Sequence, residues 1–451
     1  MEAADVFKKL PVELKPDPAR TVLRPFSFGY PDAFKDGHPP RMQQVAQRVL
    51  ALDPELRKRM CELIGKPMHD RHRGADEIFR RRFEEIRGEL GDIGEVDERD
   101  MFLLGAYFSQ EYAFESAALF NPSIVRVPDS DPDDGRIPFI ISLRGIGEGH
   151  ISSVTFRSGW WDGGDGLDVD PPSSSGVPPR VDCDHQGWTR LHCSDSEDIS
   201  ETVIYPVLPS QRQGIEDVRL VNFTDEDGTE SVIGTYTAFD GTHARQEIMR
   251  GVDLRTVELR PLEGKMAAYK GMALFPRRID GDFVMLGRQD NENIYLLRSK
   301  DMVVWETGEV LLRPKYPWEF VQIGNCGSPI EIDEGWLVFT HGVGMVRGYC
   351  VGACLLDKDD PSKVLKRVPS PLLFPSAEQR GGYVPNVTYS CGALLHDRHI
   401  LLPYALGDEY TVFAVGSIDD ILATMVDADA EIKPVIPDAA YKSYVGEDAA
   451  A

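Results

Sequence analysis

The chain of 451 residues is long enough to bury a large core and to carry an additional segment beside it. Its 42% hydrophobic and 27% charged residues are ordinary for a globular protein, and its net charge of −25 argues against nucleic acid or an anionic membrane as the main partner. Residues 1–9 have no apolar stretch typical of a signal peptide, and no apolar run approaches the length of a membrane span. Together with seven cysteines in no framework spacing, this predicts a cytoplasmic protein.

Residues 1–117 are predicted to form an N-terminal extension that is Pro-rich and irregular to about residue 40 and mostly helical afterwards. Apolar residues recur at helical spacing from residue 45 to 63, and Asp53-Pro54 is typical of a helix start. A second stripe covers residues 79–90, and a third helix is predicted over residues 98–119. These helices are a candidate contact between copies of the chain, as in a homo-oligomer.

From Asn121 onward the pattern changes to short strands separated by turn residues. Residues 159–212 are rich in Gly, Pro, Ser and acidic residues, which predicts a surface insertion. The insertion contains two cysteines and two histidines, Cys183, His185, His192 and Cys193. Their spacing matches no zinc motif, so we predict no metal.

An aspartate that follows a strand recurs after the insertion, at Asp253, Asp301, Asp357 and Asp419, with intervals of 48, 56 and 62 residues. Each interval contains three or four short alternating strands and no long helical segment, which argues against a parallel α/β sheet. Units of about 50 residues predict an all-β five-bladed β-propeller over residues 118–430, followed by a C-terminal tail at residues 431–451. A β-sandwich is the alternative fold, and the regular period disfavours it.

Polar residues occur at the strand ends of successive units. Glu216 and Asp217 stand side by side at the start of a strand, where alternation predicts that their side chains face different environments. The other members of this set are Asn121, Arg144, Lys270, Arg288, His341 and Asp408. Cations concentrated at one place in an acidic protein suit an oxyanion such as phosphate.

Several motifs in this region resemble those of glycoside hydrolase family 130, which contains β-mannoside phosphorylases and some β-mannosidases on a five-bladed propeller. The motifs, in the family's order, are GIEDVR (214–219), TYTA (235–238), KGMALFPRRI (270–279), GNCGSPI (324–330), GWL (335–337), HGV (341–343) and LLDKDDPSKV (355–364). The resemblance covers residues 118–425 and leaves out the first 115 residues and the insertion.

The resemblance implies a role for each residue of the polar set. Asp217 corresponds to the single general acid, and Asn121 and Arg144 to residues that hold the sugar at the cleaved bond. Asp408 corresponds to an acid that binds sugar hydroxyls, and Glu216 is placed with the substrate-binding residues. Lys270, Arg288 and His341 correspond to cations around phosphate. Three positions depart from the family pattern, namely Val218, Gln289 and Thr340.

The activity implied is a reversible, inverting phosphorolysis of a β-mannoside, such as a β-manno-oligosaccharide, to α-mannose 1-phosphate. An inverting hydrolase needs a second carboxylate as base, whereas phosphate is already an anionic nucleophile. No cofactor is expected beyond phosphate, and burial is expected to raise the pKa of Asp217 against the opposing effect of the cations. The alternatives are a β-mannosidase or mannosyltransferase that uses the same site, and a propeller that binds sugar without catalysis.

Overall fold

The computed structural model describes residues 6–431 apart from residues 27, 32–37, 129, 131–134, 184–186, 252–254, 377–378 and 380. His185, Asp253 and the predicted tail beyond residue 431 therefore lie outside the described residues. The chain divides into a larger unit of residues 1–18, 115–172 and 179–451 and a smaller unit of residues 19–114 and 173–178. Within the described ranges, no helix combines the length and the apolar character needed to cross a membrane.

The helices of the described residues are α1 (Arg41–Leu50), α2 (Pro54–Arg71), α3 (Ala75–Ile86), α4 (Glu98–Tyr107) and α5 (Ile418–Ala423). The first fifteen strands are β1 (Lys8–Leu14), β2 (Thr21–Pro25), β3 (Ser109–Ala113), β4 (Ala118–Arg126), β5 (Ile137–Ile146), β6 (Ser152–Trp161), β7 (Leu167–Val169), β8 (Ser175–Gly176), β9 (Arg180–Cys183), β10 (Thr189–His192), β11 (Val203–Ile204), β12 (Gly214–Thr224), β13 (Glu230–Phe239), β14 (Ala244–Gly251) and β15 (Thr256–Pro261). The following strands are β16 (Lys270–Leu274), β17 (Phe283–Arg288), β18 (Ile294–Ser299), β19 (Thr307–Leu312), β20 (Gln322–Asn325), β21 (Ile330–Ile332), β22 (Gly335–Val343), β23 (Tyr349–Leu356), β24 (Val364–Arg367), β25 (Thr388–Tyr389), β26 (Leu394–His396), β27 (His399–Leu406), β28 (Tyr410–Ser417) and β29 (Val426–Asp427).

The larger unit is built of antiparallel ladders whose strands follow one another along the chain. Strands β4 to β7 form one ladder, and β12 to β15 form the next, which β10 and β9 extend beyond β15. A parallel pairing of Gly214 with Ser152 links these two ladders. Strands β16 to β19 form a separate sheet, and β20 to β24 form another together with β29. The last sheet contains β25 to β28 and is completed by β1, which pairs with β28.

The middle strands of these ladders are buried on both faces, because each sheet packs against others through apolar clusters. All residues of β22 are buried, for example, and its sequence GWLVFTHGV carries no strict alternation of polar and apolar residues. Near-continuous apolar strands of this kind are typical of sheets covered on both sides. The predicted mostly-β architecture is confirmed.

The recurring aspartate lies one or two residues after the end of a strand at each described position. Asp301 follows β18, Asp357 follows β23 and Asp419 follows β28. Asp301 accepts a hydrogen bond from the Val303 N–H, and Asp357 accepts one from the Asp360 N–H. Carboxylates that cap backbone N–H groups two or three residues ahead stabilise tight turns, so Asp301 and Asp357 have a structural role. Asp419 instead lies in α5 and forms an ion pair with Arg398.

Three first strands carry the same irregularity near their starts. Register shifts in β4, β12 and β16 each place two residues of the first strand opposite one residue of its partner, which defines a β-bulge. In each bulge the first extra residue has a positive φ: 50° at Asn121, 55° at Asp217 and 86° at Gly271. Non-glycine residues seldom adopt this conformation, and those that do concentrate at functional sites.

The smaller unit combines α1 to α4 with the sheet formed by β3, β2 and β8. Helix α2 begins as predicted, because the Asp53 carboxylate accepts hydrogen bonds from the N–H groups of Glu55 and Leu56 and Pro54 follows it. Phe83, Leu104 and Phe108 lie in the apolar cluster of this unit. The stripes of α1 and α3 therefore cover an apolar core, whereas Leu56 and Leu63 of the predicted stripe on α2 are exposed.

Three expectations about these regions are wrong. Residues before 40 are not uniformly irregular, since they contain β1 and β2. The third helix ends at Tyr107 and not near residue 119, because β3 pairs with β2 and β4 begins the first ladder. The segment 159–212 is more than a surface insertion, since its short strands β7, β9, β10 and β11 extend the first two ladders and β8 belongs to the smaller unit.

Candidate active site

The bulge in β12 directs Asp217 toward the ends of β4 and β5. The Asn121 Nδ2 donates a hydrogen bond of 2.7 Å to the Asp217 Oδ1, and the Arg144 Nη1 lies 3.3 Å from the same oxygen. Asn121 itself sits in the equivalent bulge of β4, and Arg144 lies two residues before the end of β5. Side chains from β4 and β5, which lie far from β12 in the sequence, therefore hold one oxygen of the Asp217 carboxylate.

Glu216 shares the environment of Asp217, contrary to the prediction from strand alternation. The Arg144 Nη2 donates to the Glu216 Oε1 at 2.9 Å, and the Lys270 Nζ donates to the Glu216 Oε2 at 2.5 Å. The physical reason for the difference is the bulge, because a positive φ at Asp217 breaks the alternation of side chains that a regular strand would impose. Both oxygens of Glu216 are consequently engaged by cations.

A buried network beneath Asp217 was missed by the sequence reasoning. The Arg219 Nη1 donates to the Asp217 carbonyl oxygen, its Nε donates to the Asn325 Oδ1, and its Nη2 donates to the Tyr389 hydroxyl, at 3.0, 3.1 and 2.7 Å. The Asn325 Nδ2 in turn donates to the Gly271 carbonyl oxygen at 2.6 Å. The network ties the β12 bulge to the β16 bulge. Arg219 and Asn325 both occur in the quoted motifs, and that presence was the available signal.

His341 is a neutral residue, not a cation as the resemblance implied. Its Nδ1 donates to the Asn325 carbonyl oxygen and its Nε2 accepts from the Arg288 Nη1, each at 3.1 Å. Burial, and then the positive charges of Arg288 and Arg219, lower the pKa of His341 well below its usual value. The imidazole therefore fixes the orientation of Arg288 instead of adding a charge.

Asp408 completes the acidic side of the site. It lies in the turn between β27 and β28 with a φ of 47°, and among the described residues no group donates a hydrogen bond to its carboxyl group. Burial, followed by the negative charge of Asp217, raises the pKa of Asp408 to about 7, against the opposing effect of Arg144 and Arg347. This acid is available to bind a hydroxyl-bearing ligand.

The pKa of Asp217 is lowered, which corrects the expectation that burial would raise it. Burial does act in the raising direction, but the charges of Arg144, Arg219 and Lys270 and the hydrogen bond from Asn121 together outweigh it. Asp217 is therefore a carboxylate at neutral pH.

The structure thus brings all the predicted site residues into one electrostatically connected cluster. The charge of Asp217 acts on Arg288, His341 and Asp408, and the charge of Lys270 acts on Asp217. Four of the cluster's side chains come from the first two ladders and the remainder from the other three sheets, as the repeat predicted. Around one carboxylate the arrangement concentrates the positive charge that an oxyanion requires.

A protein-family profile described as β-1,4-mannooligosaccharide phosphorylase matches residues 194–427. The chain belongs to glycoside hydrolase family 130. The match includes every proposed site residue except Asn121 and Arg144, which precede it.

Two curated mannoside phosphorylases are similar to part of the chain. A 1,2-β-oligomannan phosphorylase of Thermoanaerobacter sp. strain X514 is 36% identical over 154 residues, which cover 34% of this chain and 52% of that protein. A β-1,2-mannobiose phosphorylase of Listeria innocua is 29% identical over 229 residues, which cover 49% of this chain and 62% of that protein. The chain spans about half the length of the first curated relatives that it matches.

A solved structure shares the fold of the chain. The β-1,2-mannobiose phosphorylase from Listeria innocua in complex with β-1,2-mannobiose superimposes with a TM-score of 0.52 at 20% identity. The superposition covers 69% of this chain and 92% of that one. At this identity the likeness concerns the fold alone.

Proposed function

We propose that the chain is an inverting phosphorylase that cleaves a β-mannoside with phosphate and releases α-mannose 1-phosphate, on five sheets arranged as a five-bladed propeller. Asp217 is the general acid, and Asn121, Arg144, Glu216 and Asp408 position the sugar. Lys270 and Arg288 bind phosphate, with His341 orienting Arg288. The observation that carries the proposal is the convergence of Arg144, Lys270 and Arg288 on the surroundings of Asp217.

The engagement of Glu216 supports phosphate, and not water, as the nucleophile. A water nucleophile needs a free carboxylate base, but both oxygens of Glu216 are held by Arg144 and Lys270. Phosphate needs no base, and the cations offset the repulsion between this anion and the carboxylates.

Phosphate binding also prepares the acid. The cations that keep Asp217 ionised are partly neutralised when a phosphate anion binds among them. The pKa of Asp217 then rises, so that the carboxyl group can take up the proton that it delivers to the leaving oxygen, directly or through a sugar hydroxyl. Nucleophile binding and acid protonation are coupled in this account.

A β-mannosidase is the second candidate, and the observation that favours it is Asp408. A carboxyl group with a pKa of about 7 and without a hydrogen-bond donor among the described residues has the character of a general base. Such an enzyme would transfer the mannosyl group to water and would not need phosphate. Mannosyl transfer to another sugar would use the same acid.

The proposed phosphorylase activity is tested in the reverse direction, in which a mannoside is synthesised from α-mannose 1-phosphate. The protein is incubated with α-mannose 1-phosphate and a panel of mannosides and other sugars as acceptors, and the release of inorganic phosphate is measured. Phosphate release that depends on an acceptor supports the phosphorylase. Release of phosphate and free mannose at the same rate without any acceptor would contradict it.

A further inference from the structure

The turn between β22 and β23 presents two strongly exposed apolar side chains next to the candidate site. Met345 is 81% exposed and Val346 is 86% exposed. The adjoining segment before β20 adds Phe320 at 61% and Val321 at 62%, and the Val321 N–H donates to the Val343 carbonyl oxygen. We call these four residues the apolar rim.

The apolar rim adjoins the site through Arg347, which follows Val346. The guanidinium of Arg347 lies 5.7 Å from the centre of the Tyr349 ring, and that ring stacks on His341. The charge of Arg347 also acts on Asp408. The rim is therefore beside the site, on the side of the sugar-binding acid.

The backbone of this turn conflicts with its sequence. The Gly348 N–H donates to the Met345 carbonyl oxygen at 3.0 Å, and Val346 and Arg347 have φ values of 54° and 55°. A four-residue turn with both central residues in the left-handed region is a type I′ turn, which favours Asn-Gly. Valine is β-branched and is a marked outlier in this region.

The corresponding turn of the first ladder has glycine at the position that Val346 occupies, and glycine adopts a positive φ without strain. Between β5 and β6, Gly149 and His150 have φ values of 70° and 56°. The Gly147 N–H donates to the Ile151 carbonyl oxygen there, as the Gly344 N–H donates to the Gly348 carbonyl oxygen in the other turn. The same backbone position therefore carries glycine in one turn and a solvent-exposed valine in the other. Burial cannot explain the valine.

We propose that the apolar rim binds an apolar group carried by the leaving-group end of the substrate, so that the preferred acceptors are mannosides with an apolar aglycone. The inference rests on the proposed function and specifies its substrate class. Exposed apolar patches mark binding surfaces, and strain that persists at a position without packing is typical of function. The net charge of −25 opposes a second copy of the chain as the occupant.

The test compares phenyl β-mannoside with methyl β-mannoside as acceptors, because they differ only in the apolar group. With the parent protein and α-mannose 1-phosphate, the KM for the phenyl compound is expected to be about tenfold lower. In the double variant Met345→Ser, Val346→Asn the preference is expected to fall within about twofold, with kcat unchanged. The matched control is Leu63→Ser on α2, an equally exposed apolar residue, which leaves the preference intact.

The backbone strain at Val346 can be tested separately through the melting temperature. Asparagine tolerates the left-handed region, so Val346→Asn alone is expected to raise the melting temperature by about 2 °C. The reciprocal control is Gly149→Val, at a position where an added Cβ meets no atom closer than 4.0 Å, and it is expected to lower the melting temperature by a similar amount. A variant that gains stability while it loses the acceptor preference is the expected signature of a functional residue.

An equal KM for the two acceptors in the parent protein would overturn the inference, and this comparison requires no variant. A change in sedimentation mass on substitution of the rim would also overturn it, since the rim would then be an interface between copies. If no acceptor releases phosphate, the proposed function fails. Calorimetric affinities for phenyl and methyl β-mannoside then decide the inference separately, with a matching tenfold difference in support and equal affinities against it.

Discussion

Strands β12 and β16 contain the same backbone bulge and use it for opposite charges. In β12 the bulge is formed by Asp217, with Glu216 before it, and in β16 it is formed by Gly271, with Lys270 before it. The Lys270–Glu216 ion pair joins the two residues that precede the bulges. The two strands therefore share the position of the bulge, and they differ in the charge of the side chains placed at that position.

The largest effect on turnover is expected when the acid Asp217 is removed from β12. Asp217→Asn keeps an acceptor for the Asn121 side chain but cannot donate the catalytic proton, so turnover is expected to fall by roughly 10²- to 10⁴-fold. Steady-state phosphorolysis provides the measurement. Asp225→Asn, at an acid that follows the same strand and pairs with Arg278, is the control and should keep parental turnover. A D217N enzyme within about tenfold of the parent would contradict the assignment.

Removal of the cation from β16 is the complementary change. Lys270→Met is expected to raise the KM for phosphate by about 10- to 100-fold, because a charge-assisted contact contributes roughly 1.5–3 kcal/mol. The KM for the mannoside should change much less, and initial rates at varied phosphate separate the two. Lys300→Met, at an exposed lysine that pairs with Asp282, serves as the matched control. Equal changes in both constants would show that Lys270 acts only by holding Glu216.

Substitution of Gly271 in β16 tests whether the bulge depends on the backbone conformation of this residue. Gly271→Ala places a Cβ no closer than 3.6 Å to the Arg288 Cβ, so its cost is conformational and not steric. With φ at 86°, the substitution is expected to lower the free energy of unfolding by about 1–2 kcal/mol. Chemical denaturation measures this loss. An unchanged stability would show that the bulge relaxes, which would remove the basis for equating the two strands.

The last prediction concerns Asp408, whose pKa responds to the charge that Asp217 places on β12. Its pKa of about 7 in the folded chain lies above the usual value of an aspartate, so the folded state binds the extra proton and stability falls as pH rises from about 4 through 7. Asp408→Asn should abolish this component. Its melting temperature, relative to the parent, is therefore expected to be higher at pH 8 than at pH 5. A constant difference across this range would contradict the raised pKa.

The grouping of these polar residues in space could be predicted from the sequence, because repeated units place equivalent positions together. Asp217, Lys270 and Arg288 needed only the motif and the strand order. The shared environment of Glu216 and Asp217 could not be predicted, because a bulge depends on the register between two strands and leaves no periodic signal.

Burial and long-range pairing account for the remaining errors. The neutral state of His341 depends on contacts with Asn325 and Arg288, which are distant in sequence until the chain folds. The pairing of β1 with β28 joins opposite ends of the described chain, so the short alternating segment Lys8–Leu14 could not be assigned to a sheet. Local patterns do not reveal partners of this kind.

The proposed reaction requires phosphate as the nucleophile beside a single proton donor, Asp217. The direct measurement is the cleavage of a β-mannoside with and without inorganic phosphate, followed by ³¹P and ¹H NMR. If phosphate is the nucleophile, α-mannose 1-phosphate is the product and cleavage falls to background when phosphate is absent. Release of free mannose at an equal rate without phosphate would contradict it.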